Sequence, residues 1–439
     1  MGLSGGIMKK LDTSLSKLDL FAVYLSYAFR YLYPLVLIPY YGRVLGANGY
    51  GAVLAGMSLS NSLWLLVNFG LATVGGRELV QSDHPGKNDR IFREHFTARL
   101  LIGVPAAVIG LIAAFRSEVI SSVPGAPYFI VVGGILAAFN LGWYFASTGR
   151  VRTSMMIEVM GLVMSLTLLI VFIRKPADLS LVFPLTFASG VVQNGVAYWL
   201  VRRESTGFLA PVRAAFAVIK SSTTIFLYNG TAVLILAAST YILSLMASPA
   251  EVSAFGISER LIAAAMGIMV PAAQVLTPKV MFLVAHDEAR ANWLARRILA
   301  VFLFGAIVGV IVTRTLSEWI VPLAFGHEFR PAVPILNVLV FVLPISVCTR
   351  VLGLYFILPR KLERLLLWTG FASALLNLVV AIPLANYRGA EGMAEARLIG
   401  ETALLAMLIF GVWRAGLLGG FFGNGNAVSL DARLARSRD

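Results

Sequence analysis

The residues in this chain that could do chemistry are few, and most are arginines and carboxylates set inside apolar runs. Arg30 stands in the first such run, 18–41. It lies about twelve residues in, and at 1.5 Å per residue that is roughly 18 Å deep, near the middle of a bilayer core about 30 Å thick. A permanent cation there costs several kcal/mol and is expected to face a cavity or a partner rather than lipid. Two readings follow: an anion-binding arginine in a wet cavity, or a structural one that snorkels or pairs with another helix. Arg260, Arg350 and Arg397 also fall inside spans, as do the acids Glu158, Glu259, Glu395 and Glu401. Glu259 is next to Arg260 in sequence and points elsewhere, because neighbours on a helix do not face each other. Glu395 and Glu401 are placed to neutralise Arg397. Arg30 has only Asp19 on its own helix, three turns away, so the first half of the chain presents positive charge at mid-membrane. An arginine fork suits phosphate oxygens. Arg30, Arg260 and Arg350 are therefore the candidate anion contacts of a cavity, with Glu158 and Glu395 as candidate coupling acids.

Polar residues recur at helical spacing inside several spans. Ser58, Asn61, Ser62 and Asn68 form one stripe; Asn140, Trp143, Tyr144 and Ser147 a second; Thr186, Ser189 and Gln193 a third; Thr369, Ser373 and Asn377 a fourth. Steps of three, four and seven keep such residues on one side of a helix. Each stripe alone reads as interhelical hydrogen bonding, worth about 0.6 kcal/mol per contact. Together, in both halves of the chain, they fit a wet central cavity whose polar lining is Asn61, Asn68, Asn140, Gln193 and Asn377. Other chemistry is missing. There is no HExxH, no GxxxxGK[ST] and no paired-carboxylate site at a membrane face. His286-Asp287-Glu288 reads as a solvated loop, and the single Cys348 excludes an intrachain disulfide. No catalytic residue, metal site or cofactor is expected. The chain reads as a transporter driven by a gradient or potential, not an enzyme.

The elements that position these residues are membrane spans. The chain has 439 residues, 58% hydrophobic and 13% charged, against about 25% charged in soluble domains. Apolar runs of about 20 residues recur from end to end. We read twelve, at 18–41, 49–74, 97–115, 128–148, 153–173, 180–201, 222–246, 254–277, 297–313, 332–358, 365–385 and 391–413. No cleavable signal peptide is expected, since the first run is long enough to span and no small-residue cleavage site follows it. The formal net charge is +14. It is explained by the positive-inside rule rather than by nucleic acid. Basic residues crowd one set of connections, while only Arg43, Arg116, Arg174, Lys175, Arg314, Arg330 and Arg388 fall on the other. That bias places both termini in the cytoplasm. The connection after span six divides the chain into an N-terminal lobe (1–204), a cytoplasmic linker (205–221), a C-terminal lobe (222–413) and a cytoplasmic tail (414–439). Pro34 and Pro39, Pro271, and Pro344 interrupt spans one, eight and ten, where bends suit helices that rearrange.

Arg43-Val-Leu-Gly-x-x-Gly-Tyr-Gly, then Asn68-Phe-Gly-Leu and Arg77-Glu78, resembles the signature of Wzx-type polysaccharide flippases, relatives of the MATE drug exporters and lipid II flippases. Trp143-Tyr-Phe-Ala-Ser-Thr-Gly is similar to the segment closing the family's fourth helix. Phe325-Gly-His-Glu-Phe and Tyr387-Arg-Gly-Ala-Glu-Gly-Met-Ala-Glu-Ala also fit. The resemblance implies an all-α membrane protein of about twelve helices in two six-helix lobes around a cationic cavity. It implies alternating access in a bacterial inner membrane, acting on a polyprenyl-pyrophosphate-linked oligosaccharide of the O-antigen or exopolysaccharide type. A polysaccharide polymerase and other assembly proteins are implied partners. Arg43, Gly46, Gly49, Gly51, Arg77 and Glu78 would form the loop or gating motif, with Arg30 and Arg260 at the phosphates. Span seven lacks the charge many relatives carry there, and Glu395 is unusual. The alternative function is a MATE-like cation-coupled antiporter for drugs or metabolites. A membrane-embedded glycosyltransferase or polymerase would need a large outer loop or a metal-binding acid pair.

Overall fold

An apolar chain in a bilayer must satisfy its backbone hydrogen bonds within each segment, so the spans form helices. The computed structural model describes residues 17–82, 84–227 and 231–417, and these residues are almost entirely helical. Eight of the described helices are long and apolar enough to cross a membrane. The chain divides into two compact units, Met1–Gly230 and Thr231–Asp439.

The first unit opens with α1 (Lys17–Asn68), which contains spans one and two. It bends at Gly46, where φ is 67° and ψ 179°, a conformation essentially restricted to glycine. Phe69 and Gly70 then turn left-handed, so span two ends earlier than the expected residue 74, and α2 (Leu71–Val80) follows as a separate short helix. The unit continues with α3 (Pro85–Arg116), α4 (Ala126–Ala138), α5 (Gly142–Ser147), α6 (Val151–Phe172) and α7 (Leu179–Arg202). The arms of α1 pack on α4 and α6, and α7 packs on both.

The stretch expected as a linker is folded onto this unit. Ser205 and Thr206 donate to the Asp89 carboxylate on α3, and the Ala210 amide donates to Thr97 Oγ1 at 2.9 Å. Helix α8 (Val212–Ile225) then buries Ala215 and Val218 against Leu71 and Ala98. A helix with a buried stripe is held by packing, so the boundary between units falls at Gly230, beyond the linker.

In the second unit, α9 (Thr231–Ala237) and α10 (Ser239–Leu243) precede α11 (Pro249–Gly267) and α12 (Met269–His286). Then come α13 (Glu288–Phe325), α14 (Ala332–Leu339), α15 (Val342–Val351), a π-helical stretch at Leu352–Ile357, and α16 (Glu363–Arg414). Ser248 and Glu251 form a capping box at the start of α11. Helix α16 contains spans eleven and twelve and bends at Gly389 (φ 58°, ψ −132°). The Glu251 carboxylate lies directly against Gly389, where a Cβ would sit.

Candidate functional site: a polar cavity in the first unit

Five helices of the first unit line a cavity of ≈ 850 Å³. The bend at Gly46 lets one helix contribute twice: Tyr33 and Leu37 precede it, and Ser60, Asn61 and Trp64 follow it. Phe129 on α4, Ser154, Glu158 and Ser165 on α6, and Phe183, Thr186 and Gln193 on α7 complete the wall. Glycines set the helix separations. A Cβ at Gly134 would meet the Ser60 carbonyl, and one at Gly161 would meet the Gln193 amide. Tyr33 Oη and Ser165 Oγ, both in the cavity lining, are hydrogen-bonded at 2.9 Å.

The floor is the break between α4 and α5, with Asn140 and Trp143 both lining the cavity. A broken helix leaves carbonyls without intrahelical partners. Side chains from two neighbours meet them: Arg99 Nε donates to the Ala138 carbonyl at 2.8 Å, and Tyr198 Oη to that of Phe139 at 2.9 Å. The Asn140 side-chain oxygen accepts from the Gly142 amide at 2.7 Å, which starts the new helix.

Of the polar groups lining the cavity, Thr186 and Ser189 donate to carbonyls of their own helix, at 2.8 and 2.7 Å. Such back-bonding takes up their donors. Asn61, Asn140, Gln193 and Glu158 line the same space with chemistry suited to hydroxyl-rich or charged ligands. Aromatic side chains beside them supply flat apolar faces, the mixture usual in small-molecule sites.

The structure thus gathers Asn61, Asn140, Gln193 and Glu158 around one space. Arg30 belongs to α1, one turn before Tyr33 and two before Leu37, at positions that share a helix face. Its side chain lies outside the described residues. Asn68 ends α1 and does not line the cavity. Asn377 is buried and donates to the Ala396 carbonyl at 2.9 Å, joining the two arms of α16. Arg350 lines a smaller, largely apolar cavity of ≈ 350 Å³ in the second unit, beside Met269 and Tyr355. Arg260 is half-buried on α11, while its neighbour Glu259 accepts from Thr240 Oγ1 at 3.0 Å. Arg397 pairs with Glu401 at 3.2 Å, but Glu395 pairs instead with Arg388, part of an exposed cluster with Glu391. In the loop motif, Arg43 and Arg77 are exposed, Gly46 makes the bend, Gly49 and Gly51 are buried beyond it, and Glu78 pairs with His95 at 3.1 Å.

The residue the spacing misses is Arg99. Its position at the edge of span three reads as a solvated basic residue, yet it is 2% exposed. Its guanidinium lies 5.1 Å from the Trp143 ring centroid, directly behind the cavity floor.

Recurrent apolar helices and a cavity with polar groups set in a largely apolar wall fit a multi-pass membrane protein. The solved structures it resembles are of that kind. Its fold matches a lipid II flippase, MurJ, in an inward closed conformation, with a TM-score of 0.67 at 12% identity over 96% of each chain. It also matches the MATE multidrug transporter DinF-BH, solved in complex with R6G, with a TM-score of 0.58 at 17% identity over 96% of this chain and 97% of that one. In sequence it is 20% identical over 400 residues to a protein of Shigella dysenteriae named "Putative O-antigen transporter", spanning 90% of this chain and 99% of that protein. No protein-family model matches the chain. The fold class and the flippase and MATE resemblance read from the signature residues are both met by these relatives.

Proposed function

We propose that this protein is an alternating-access flippase. It moves a polyprenyl-pyrophosphate-linked oligosaccharide from the cytoplasmic to the outer leaflet of a bacterial inner membrane, for assembly of a cell-surface polysaccharide. Both termini are cytoplasmic, and the chain is a transporter with no catalytic role. A polysaccharide polymerase acting on the outer face is the expected downstream partner.

The observation that carries this reading is the convergence at the first unit's cavity. Amide side chains and aromatic faces suit sugar hydroxyls and ring faces, and Arg30 occupies a register position continuous with that lining. An arginine at mid-depth supplies the cation that a pyrophosphate needs, while the polyprenyl tail stays in lipid. Arg260 and Arg350 are the proposed phosphate contacts of the second unit. Glu158 is the better-placed coupling acid, because Glu395 is held in a surface ion cluster. In cells dependent on this transporter, Arg30→Ala abolishes surface polysaccharide at unchanged protein level, and Arg30→Lys retains little. Normal polysaccharide in the alanine variant contradicts the phosphate assignment.

A second reading, cation-coupled export of drugs or metabolites, is favoured by one observation. Glu158 places a carboxylate in a partly aromatic cavity, which would attract an organic cation.

A further inference from the structure

Among the described residues of the first unit, helix α8 has an exposed outer face that packing within that unit does not explain. Its inner face is the buried stripe of Ala215, Val218 and Ser222. Its outer face exposes Val212, Arg213, Phe216 and Lys220, preceded by exposed Leu209. Leu209 and Phe216 are 64% and 58% exposed, large apolar side chains open on the same surface as two cations. No Asp or Glu occurs between residues 205 and 250. The neighbouring acid, Glu204, is paired with Arg150 at 2.6 Å.

The level of this helix is fixed from both sides. It packs on Ala98, at the start of an apolar span. It follows Trp199 and Arg203, whose guanidinium lies 4.2 Å from the exposed indole ring. Exposed tryptophan with adjoining arginine marks a membrane–water interface. A short helix held there, basic and apolar on its free face, has the make-up of an in-plane anchor.

We infer that the free face of α8 is a binding surface for anionic phospholipid in the leaflet on the basic-rich side of the membrane. Phe216, Val212 and Leu209 enter the headgroup–acyl boundary, and Arg213 and Lys220 meet lipid phosphates. The proposal is independent of the transported substrate.

The full-length chain is tested in vesicles, with Cys348→Ser and an environment-sensitive fluorophore on a cysteine replacing the exposed Ala217. Quenching is compared between vesicles containing tail-brominated phosphatidylglycerol and the same mole fraction of tail-brominated phosphatidylcholine. We expect stronger quenching by phosphatidylglycerol. The lipid preference falls roughly five-fold for each charge removed in Arg213→Gln and Lys220→Gln, and it weakens with added salt. Phe216→Gln reduces quenching by both lipids, a readout separate from charge. Each variant is first confirmed monodisperse. No quenching by either lipid, equal quenching by both, or a preference unchanged in the double variant would overturn the proposal. Reversal by millimolar inorganic pyrophosphate would overturn it too, because the face would then be a soluble-phosphate site.

Discussion

Arg99 and Arg30 are both arginines in apolar helices, but the structure gives Arg99 a structural task. Its Nε and Nη1 reach two carbonyls, Ala138 at 2.8 Å and His95 at 3.2 Å. The planar fork meets both from two separate nitrogens in fixed positions, whereas an ammonium offers its donors from one nitrogen on a flexible stem. Arg99→Lys is therefore expected to leave one carbonyl unmet and to destabilise the first unit by about 1–3 kcal/mol, seen as a lower melting temperature in detergent. Unchanged melting would mean the contacts at the α4–α5 break are incidental. Asn377→Ala, by contrast, should cost only about 0.6 kcal/mol and leave transport intact, since the amide joins two arms of one helix. A large transport defect at normal stability would restore Asn377 to a substrate path. Periodicity put Asn61 and Gln193 on polar stripes, and the structure sets both, with Asn140 at the α4–α5 break, around one cavity. It failed at Arg99 because a long side chain at a span margin can snorkel outward or turn in, and spacing does not distinguish the two.

At the scale of elements, glycines rather than prolines make the sharp bends. Pro39 lies in α1 without disturbing it, and the only non-helical backbone inside that helix is at Gly46. Pro271 and Pro344 sit in the first turns of α12 and α15, just after breaks at Ile268 and at Val340–Phe341. A missing N–H costs nothing there, so these prolines mark helix starts. The sequence therefore located the discontinuities while misassigning what each proline does. Gly46→Ala forces a side chain into a backbone region almost closed to it. It should destabilise the chain by about 1–3 kcal/mol, measurable as loss of folded protein in a detergent-melting assay. Wild-type melting would show that α1 tolerates a different bend. Gly389→Ala is expected to be at least as damaging, because the Glu251 carboxylate occupies the space a Cβ needs.

For the whole molecule, the class was legible because a bilayer allows few architectures, and composition alone selected helical spans. The division into units was less legible. Residues 205–221 look like a polar connection, but α8 is tied to α2 and α3 by the short apolar stripe Ala215, Val218 and Ile219, which does not stand out from sequence. Exposed Trp199 and Trp293, each beside an arginine at 4.2 and 5.3 Å, lie among the basic-rich connections and mark a membrane–water interface there. In a Cys348→Ser background, a cysteine at exposed Asn48 should react with an impermeant maleimide from outside the cell, and one at exposed Lys87 should not. The reverse pattern would invert the topology.

The central claim is that the transported molecule is a lipid-linked glycan. It is tested most directly in proteoliposomes containing the purified chain, by following a fluorescent polyprenyl-pyrophosphate oligosaccharide and a cationic dye under the same imposed gradients. The account predicts that the glycolipid crosses and the dye does not, and that Arg30→Ala stops the crossing. Movement of the dye alone, unaffected by Arg30→Ala, would contradict it.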